Sequence, residues 1–284
     1  MPELPEVETV CRGLNQLTLE QKIQGGEVLL LRTLAHPDSV FDFWEGITDA
    51  KIAIWQRRGK YLLAKLTNPG SQPAGWLGVH LRMTGQLLWL ERSESVQKHT
   101  RIRLFLGDKQ ELRFVDTRTF GKVWWVPPQR KLEEVVTGLQ KLGPEPFDAE
   151  FSVEYLSKKL RKTRRLIKTA LLDQTLVAGI GNIYADEALF KSKIRPEVVA
   201  CSLNQQQIER LHGAVIEVLQ TAIDKGGTTF SDFLNLLGVN GNYGNVAWVY
   251  GRQDQPCRVC GTKITKIKLA GRSSHFCPSC QRIK

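Results

Sequence analysis

Four cysteines near the C-terminus, Cys257-x2-Cys260-x16-Cys277-x2-Cys280, constrain this chain more than any other feature. Two close pairs at that separation fit a tetrahedral site of four thiolates, the ligand set of a zinc ion. Four protein thiolates leave no coordination position open, so one zinc held here is structural and activates no water. Two disulfides are the competing use of the same spacing. The chain opens without signal- or transit-peptide chemistry, which points to a reducing compartment, the cytoplasm, and disfavours disulfides. The residues between the pairs are rich in Lys, Arg and β-formers. They predict a hairpin that presents Lys263, Lys266, Lys268 and Arg272 to phosphates. Cys11 and Cys201 stand alone and read as small hydrophobes.

Charge points the same way. The formal net charge is +11 and the pI about 9.5, the balance of a protein with a polyanionic partner. From Lys158 to Lys168 the chain carries Lys158, Lys159, Arg161, Lys162, Arg164, Arg165 and Lys168 with no acid between them. From Gly251 onward there are eight Lys or Arg against one Asp. One basic run is usually a solvated face; two, the second joined to a metal-site spacing, favour nucleic acid. A membrane surface is the rival polyanion, but there is no apolar run of spanning length and no basic amphipathic anchor.

The 284 residues suffice for two or three domains, each with its own core. Residues 5–16 carry Val7, Val10, Cys11 and Leu14 at helical spacing. β-rich runs follow at 23–32, 52–57, 61–66, 78–90, 101–106, 111–116 and 122–126, punctuated by Gly, Pro, Asn and Asp, and predict a β-sandwich or barrel. Prolines and glycines at 127–150 mark a linker. Helical period then takes over at 151–161, 163–173, 182–192, 204–224 and 229–236. The expected class is α+β and multidomain. A β-sandwich flanked by helices occupies 1–130, a linker 131–150, a helical domain 151–245 and the zinc module 246–284.

Four further features could carry chemistry. Met1-Pro2-Glu3-Leu4-Pro5-Glu6 reads most simply as a helix start, with Pro5 in the first turn and acids where the helix dipole favours them. Removal of Met1, however, would leave the secondary amine of Pro2 beside the carboxyl of Glu3, a nucleophile beside a proton donor. A chain that keeps Met1 has that amine blocked. Gly179-Ile180-Gly181-Asn182 precedes a helical pattern with Asn182 as N-cap, and either makes a tight turn or cradles a phosphate. Gly78-x-His80-x-Arg82-Met83-Thr84-Gly85 and Asp116-x-Arg118-x-Phe120-Gly121 could be two adjacent loops tipped by Met83, Arg118 and Phe120, groups suited to filling a gap in a base stack. By spacing alone, Met83 and Phe120 read more readily as core. Lys60, after Arg57-Arg58-Gly59, is a hairpin-turn lysine that could serve a site.

Taken in order, these stretches resemble the formamidopyrimidine-DNA glycosylase family. The resemblance is carried by Pro2-Glu3-Leu4-Pro5-Glu6-Val7-Glu8-Thr9, Gly59-Lys60-Tyr61, the His80 to Gly85 and Asp116 to Gly121 motifs, Gly179-Ile-Gly181-Asn182-Ile-Tyr184, Gly226-Gly-Thr-Thr229 and the cysteine module with Arg272 inside it. It implies an N-terminal β-sandwich, a helix–two-turn–helix domain and a zinc-finger hairpin. The implied activity is excision of oxidised purines, 8-oxoguanine and formamidopyrimidines, from duplex DNA, followed by strand cleavage. Pro2 is the implied nucleophile and Glu3 the acid. Lys60, Asn182 and Arg272, assisted by His80, are the implied phosphate holders. Met83, Arg118 and Phe120 would fill the vacated helix space, with Arg118 toward the orphaned cytosine. Lys168, Thr228, Thr229 and Tyr243 are further expected DNA contacts. Leu4, where the endonuclease VIII branch has Gly, places the chain on the purine side. Thr117, Thr119 and residues 236–245 depart from the family pattern. One structural zinc and a monomer without obligate protein partner or membrane complete the expectation. The alternatives are an endonuclease VIII-like enzyme for oxidised pyrimidines, or a zinc-dependent DNA- or RNA-binding protein without catalysis, which would leave Pro2-Glu3 unexplained.

Overall fold

The computed structural model describes residues 1–228 and 236–282. It divides into two compact units, Met1–Gln140 with Gly226–Gly241, and Lys141–Lys225 with Asn242–Lys284.

The first unit begins with α1 (Leu4–Leu17), which buries Val7, Val10, Cys11 and Leu14 along one face. β1 (Ile23–Val28), β2 (Leu34–His36), α2 (Val40–Ile47), β3 (Lys51–Arg58), β4 (Tyr61–Thr67) and β5 (Pro73–His80) follow. β6 (Gly85–Glu91), β7 (Thr100–Leu106), β8 (Gln110–Asp116), β9 (Lys122–Val126) and the single turn α3 (Leu132–Val135) complete it. One sheet runs β2-β9-β5-β4-β3 and the other β1-β7-β8-β6. Ile52, Leu62, Ala64 and Leu77 of the first sheet share one buried cluster with Ile102, Leu104, Leu112 and Phe114 of the second and with α1. This is the expected β-sandwich with helices against it. Two local differences stand out. The run expected over 78–90 is two strands, broken where Arg82 turns the chain with φ +54°. α2 was not expected; Ser39 caps it, its Oγ accepting from the Asp42 N–H at 3.2 Å.

The second unit holds α4 (Val153–Leu160), α5 (Ile167–Leu171), α6 (Asn182–Lys191), α7 (Gln205–Asp224), β10 (Thr265–Leu269) and β11 (Arg272–Phe276). α6 packs against α7 and β11 and is buried from Ile183 to Phe190. α7 starts in a reciprocal capping box in which the Gln207 N–H donates to Asn204 Oδ1 and the Asn204 N–H to Gln207 Oε1, both at 2.9 Å. The expected hairpin is present as β10 and β11. Its two-residue turn, Ala270-Gly271, has φ of +46° and +80°, the left-handed pair that matches strand twist. No described helix is long and apolar enough to cross a membrane.

Candidate functional site

In the first unit the N-terminus is fixed by a second acid. Glu3 is the N-cap of α1, and its N–H donates to Glu6 Oε2 at 2.8 Å. The other oxygen of Glu6 accepts the Thr228 N–H at 2.7 Å. One buried carboxylate thus ties the start of α1 to the Gly227-Thr228 turn. Gly227 has φ +80°, and a Cβ there would lie 2.9 Å from Glu6 Oε1, so the turn closes on Glu6 only with glycine. Pro2, Glu3 and Glu6 are all buried. The sequence marked Glu6 as a favourable helix-start charge and missed its bridging role. The signal for a capping box, an acid three residues after the N-cap, was present.

Lys60 occupies the turn between β3 and β4 and is buried, as is His80 at the end of β5. Tyr61 and His80 are register partners, their rings edge to face with centroids 4.5 Å apart. The Arg82 N–H donates to His80 Nδ1 at 3.0 Å. Burial pushes the His80 pKa down to about 3, and the charges of Arg82 and Lys60 act in the same direction. The ring is therefore neutral at pH 7, with its proton on Nε2, a donor for an anionic oxygen.

Met83 and Phe120 are 37% and 45% exposed, not core. One buried carboxylate joins their loops. Asp116 Oδ1 accepts from Thr84 Oγ1 and from the Arg118 N–H, and Oδ2 accepts the Gly121 N–H at 2.7 Å. The Arg118 N–H also reaches Thr84 Oγ1 at 3.1 Å. The guanidinium of Arg118 lies over the Phe120 ring, 5.0 Å from its centroid. The structure thus brings Met83, Arg118 and Phe120 to two clamped, neighbouring loops.

In the second unit, α6 starts at Asn182 as expected, but its N-cap is Gly181, one position before the expected cap at Asn182. Asn182 Nδ2 donates to Ser273 Oγ at 3.4 Å, while Asn182 Oδ1 is buried without a hydrogen-bond partner among the described residues. Arg272, at the start of β11, is exposed, as are Lys263, Lys266 and Lys268. Three expected contact residues have internal partners. Lys168 is buried, with Nζ 2.6 Å from both Asp186 Oδ1 and the Ser273 carbonyl. Asp186 also accepts Ser274 Oγ and the His275 N–H, so the pair fastens β11 to α6. Tyr243 is buried and donates its hydroxyl to Glu187 Oε2 at 3.1 Å. The same carboxylate accepts the N–H groups of Trp248, Val249 and Tyr250, a role the sequence gave no reason to assign. Thr228 is buried in the first unit against Glu6. Thr229, with nearly all of the helix expected over 229–236, lies outside the described residues.

The four cysteine sulfurs lie within 4.8 Å of one another. Three of the separations are 3.5, 3.5 and 3.9 Å. A tetrahedron with Zn–S bonds of about 2.3 Å has edges of about 3.8 Å. These distances exceed a disulfide bond and fit thiolates around one ion. The Val259 N–H points at Cys257 Sγ and the Cys280 N–H at Cys277 Sγ, each at 3.4 Å, as expected for amides that support thiolate charge.

Comparison with known proteins agrees with this geometry. Residues 1–123 match the formamidopyrimidine-DNA glycosylase N-terminal domain, residues 142–233 its H2TH domain, and residues 254–283 the zinc finger found in FPG and IleRS. The chain is 66% identical over 284 residues to the formamidopyrimidine-DNA glycosylase of Nostoc punctiforme, covering 100% of this chain and 97% of that one. The chain belongs to the formamidopyrimidine-DNA glycosylase family. The protein of that name from Acaryochloris marina is 62% identical over 99% of both chains. Among solved structures, Lactococcus lactis Fpg in complex with DNA containing an abasic site superposes with a TM-score of 0.89 at 37% identity, covering 99% of this chain and 100% of that one. The same protein bound to DNA containing an oxidised pyrimidine gives 0.89 at the same identity and coverage. The chain is accordingly a DNA glycosylase of base excision repair, and its finger cysteines hold one structural zinc ion.

Proposed function

We propose that this glycosylase excises oxidised purines from duplex DNA through the nitrogen of Pro2 and then cleaves the strand as a lyase. The observation that carries the reading is the Glu3–Glu6–Thr228 tie, which holds Pro2 and Glu3 in one place at the positive end of α1. Once Met1 is removed, the positive end of the α1 dipole disfavours a cation on the Pro2 nitrogen and so favours the neutral, nucleophilic amine. Its lone pair attacks the sugar C1′ while the bond from C1′ to the base breaks; the base leaves with that bonding pair and takes the proton that the Pro2 nitrogen gives up. The Glu3 carboxyl gives its proton to the ring oxygen as the ring opens, leaving an iminium between Pro2 and C1′. The iminium acidifies the C2′ proton. Loss of that proton expels the 3′ phosphate, and a second elimination expels the 5′ phosphate.

Before this chemistry the base must leave the stack, at a cost of a few kcal/mol. Met83 and Phe120, exposed on clamped loops, fill the space, and Arg118 offers its fork to the unpaired base. Lys60, neutral His80, Asn182 and Arg272 supply donors to backbone phosphates. The zinc ion fixes the hairpin that carries Arg272 and takes no part in bond making.

Borohydride reduction tests the reading. On a duplex holding one 8-oxoguanine, it should trap a covalent complex at Pro2. A residue inserted before Pro2 should abolish both trap and excision; a trap that survives the insertion overturns the mechanism. Faster excision of thymine glycol than of 8-oxoguanine overturns the purine preference and leaves the chemistry standing.

A further inference from the structure

The basic run from Lys158 to Arg165 has no part in the site described above. Lys158, Lys159, Arg161, Lys162, Arg164 and Arg165 are all exposed. Two lysines at the end of α4 suit its C-terminal dipole, but Arg161, Lys162 and Arg164 lie beyond the helix. Among the described residues only Arg165 is ion-paired, with Asp173 at 2.7 Å, and Lys159 lies over the Tyr155 ring at 5.4 Å. Lys158, Arg161, Lys162 and Arg164 have no ion pair among the described residues, a self-repelling arrangement in the free protein.

The run also borders a cavity. A hollow of about 270 Å³ is lined by Lys159, Lys162, Thr163, Arg165, Asp173 and Thr175, among others. Asp173, the one acid in this lining, is occupied. It pairs with Arg165 and accepts both the Thr175 N–H at 2.9 Å and Thr175 Oγ1 at 2.8 Å. The lining thus carries three cations, Lys159, Lys162 and Arg165, against one acid, together with the hydroxyls of Thr163 and Thr175.

One wall of the hollow belongs to the segment that ends at Asn182. Between Asp173 and Thr175, Gln174 donates to the Ile180 carbonyl at 2.8 Å and accepts the Gly179 N–H at 2.9 Å. The hollow and the start of α6 are therefore parts of one braced loop. From Thr175 to Asn182 the chain can reach about 25 Å at most. At 3.4 Å per base step along one strand, that spans about seven steps.

We propose that this hollow, with Lys159 and Lys162 at its rim, is a second phosphate-binding site. It takes a backbone phosphate of duplex DNA within about seven nucleotides of the phosphate held at Asn182. The inference rests on the reading of Asn182 as a phosphate holder. It adds affinity and register on the duplex and no chemistry.

The test is the salt dependence of binding to a lesion-free duplex of 25 base pairs, compared between wild type and the double variant Lys159→Gln/Lys162→Gln. Each lost phosphate contact lowers the slope of log K against log salt by about 0.9. The double variant, which loses one phosphate, should lose about 0.9 from the slope. Replacing backbone phosphates one at a time with neutral methylphosphonates should weaken wild type at a position within that span and leave the variant indifferent there. Single-turnover excision at saturating enzyme should be unchanged. A slope equal to wild type overturns the proposal. So does an equal loss of slope in Lys98→Gln/Lys109→Gln, whose exposed lysines lie in the first unit, because the effect would then be general charge. Failure of wild type to excise any lesion would count against the proposed function alone, since the slope is read on undamaged DNA.

Discussion

At the scale of single residues, the site depends on groups whose protonation the fold has decided. His80 is the clearest. Its ordinary pKa is 6.5, and burial with Arg82 and Lys60 beside it brings the folded value to about 3. Between those values the unfolded chain binds a proton that the folded chain refuses, so stability falls as pH drops through that window. From pH 7 to pH 5 the loss assigned to His80 is about 2 kcal/mol. His80→Asn keeps an acceptor near Nδ1 and has no such titration. Urea unfolding at the two pH values should show wild type losing about 2 kcal/mol more than the variant over that interval; equal losses would mean that His80 titrates normally. The family resemblance put His80 and Lys60 in the same site. It could not give the protonation state, which depends on burial and on Arg82 turning back at positive φ. Glu6 was hidden for a related reason: its partner Thr228 is 222 positions away in sequence.

At the scale of elements, the strands were legible because alternation and turn residues report directly on a half-buried sheet. The β5–β6 region was read as one run because its break at Leu81–Thr84 is short and partly apolar. That break is one of the two loops proposed to fill the space left by the base. Its partner is held to it by Asp116, whose carboxylate takes Thr84 Oγ1 and the N–H groups of Arg118 and Gly121. The exposure of Met83 and Phe120 follows from this clamp and not from their spacing, which resembles that of core residues. Asp116→Ala leaves the buried Gly121 N–H and the half-buried Thr84 hydroxyl without their acceptor, while the Arg118 N–H keeps Thr84 Oγ1. Unsatisfied buried groups cost about 1–3 kcal/mol each, so a loss of about 2–4 kcal/mol is expected. Thr84→Val removes the bond to Asp116 and the one accepted from the Arg118 N–H, which keeps Asp116 Oδ1, and should cost about 1–2 kcal/mol. Chemical denaturation measures both, and Asp116→Ala within 0.5 kcal/mol of wild type, the range of ordinary surface changes, would show that the clamp carries no weight.

At the scale of the whole molecule, the two units do not follow chain order. Residues 226–241 belong by contact to the first unit, although they come after the helices of the second. Composition and period put them with those helices because both are local measures. The ties are not local: Trp89 donates its N–H to the Leu236 carbonyl at 2.9 Å, and Leu236 joins the sandwich core. Each unit nevertheless has its own interior. In the zinc module Cys257 and Cys277 are themselves core, packed with Phe190, Val249 and Ile264. Removing zinc therefore leaves two thiols inside a small core with nothing to draw the chain segments together, and the hairpin should open. The sandwich has no such dependence. Trp44, Trp55, Trp76, Trp89, Trp124 and Trp125 all lie in the first unit, and only Trp248 lies in the second. Zinc removal by a strong chelator should thus cost at least about tenfold in DNA affinity, the loss of one charge-assisted contact or more. Intrinsic tryptophan fluorescence should stay close to that of the native protein, and return of zinc should restore binding. A red shift of the whole emission on chelation would mean that the two interiors fold as one, and unchanged DNA binding would mean that the hairpin with Arg272 does not hold the duplex.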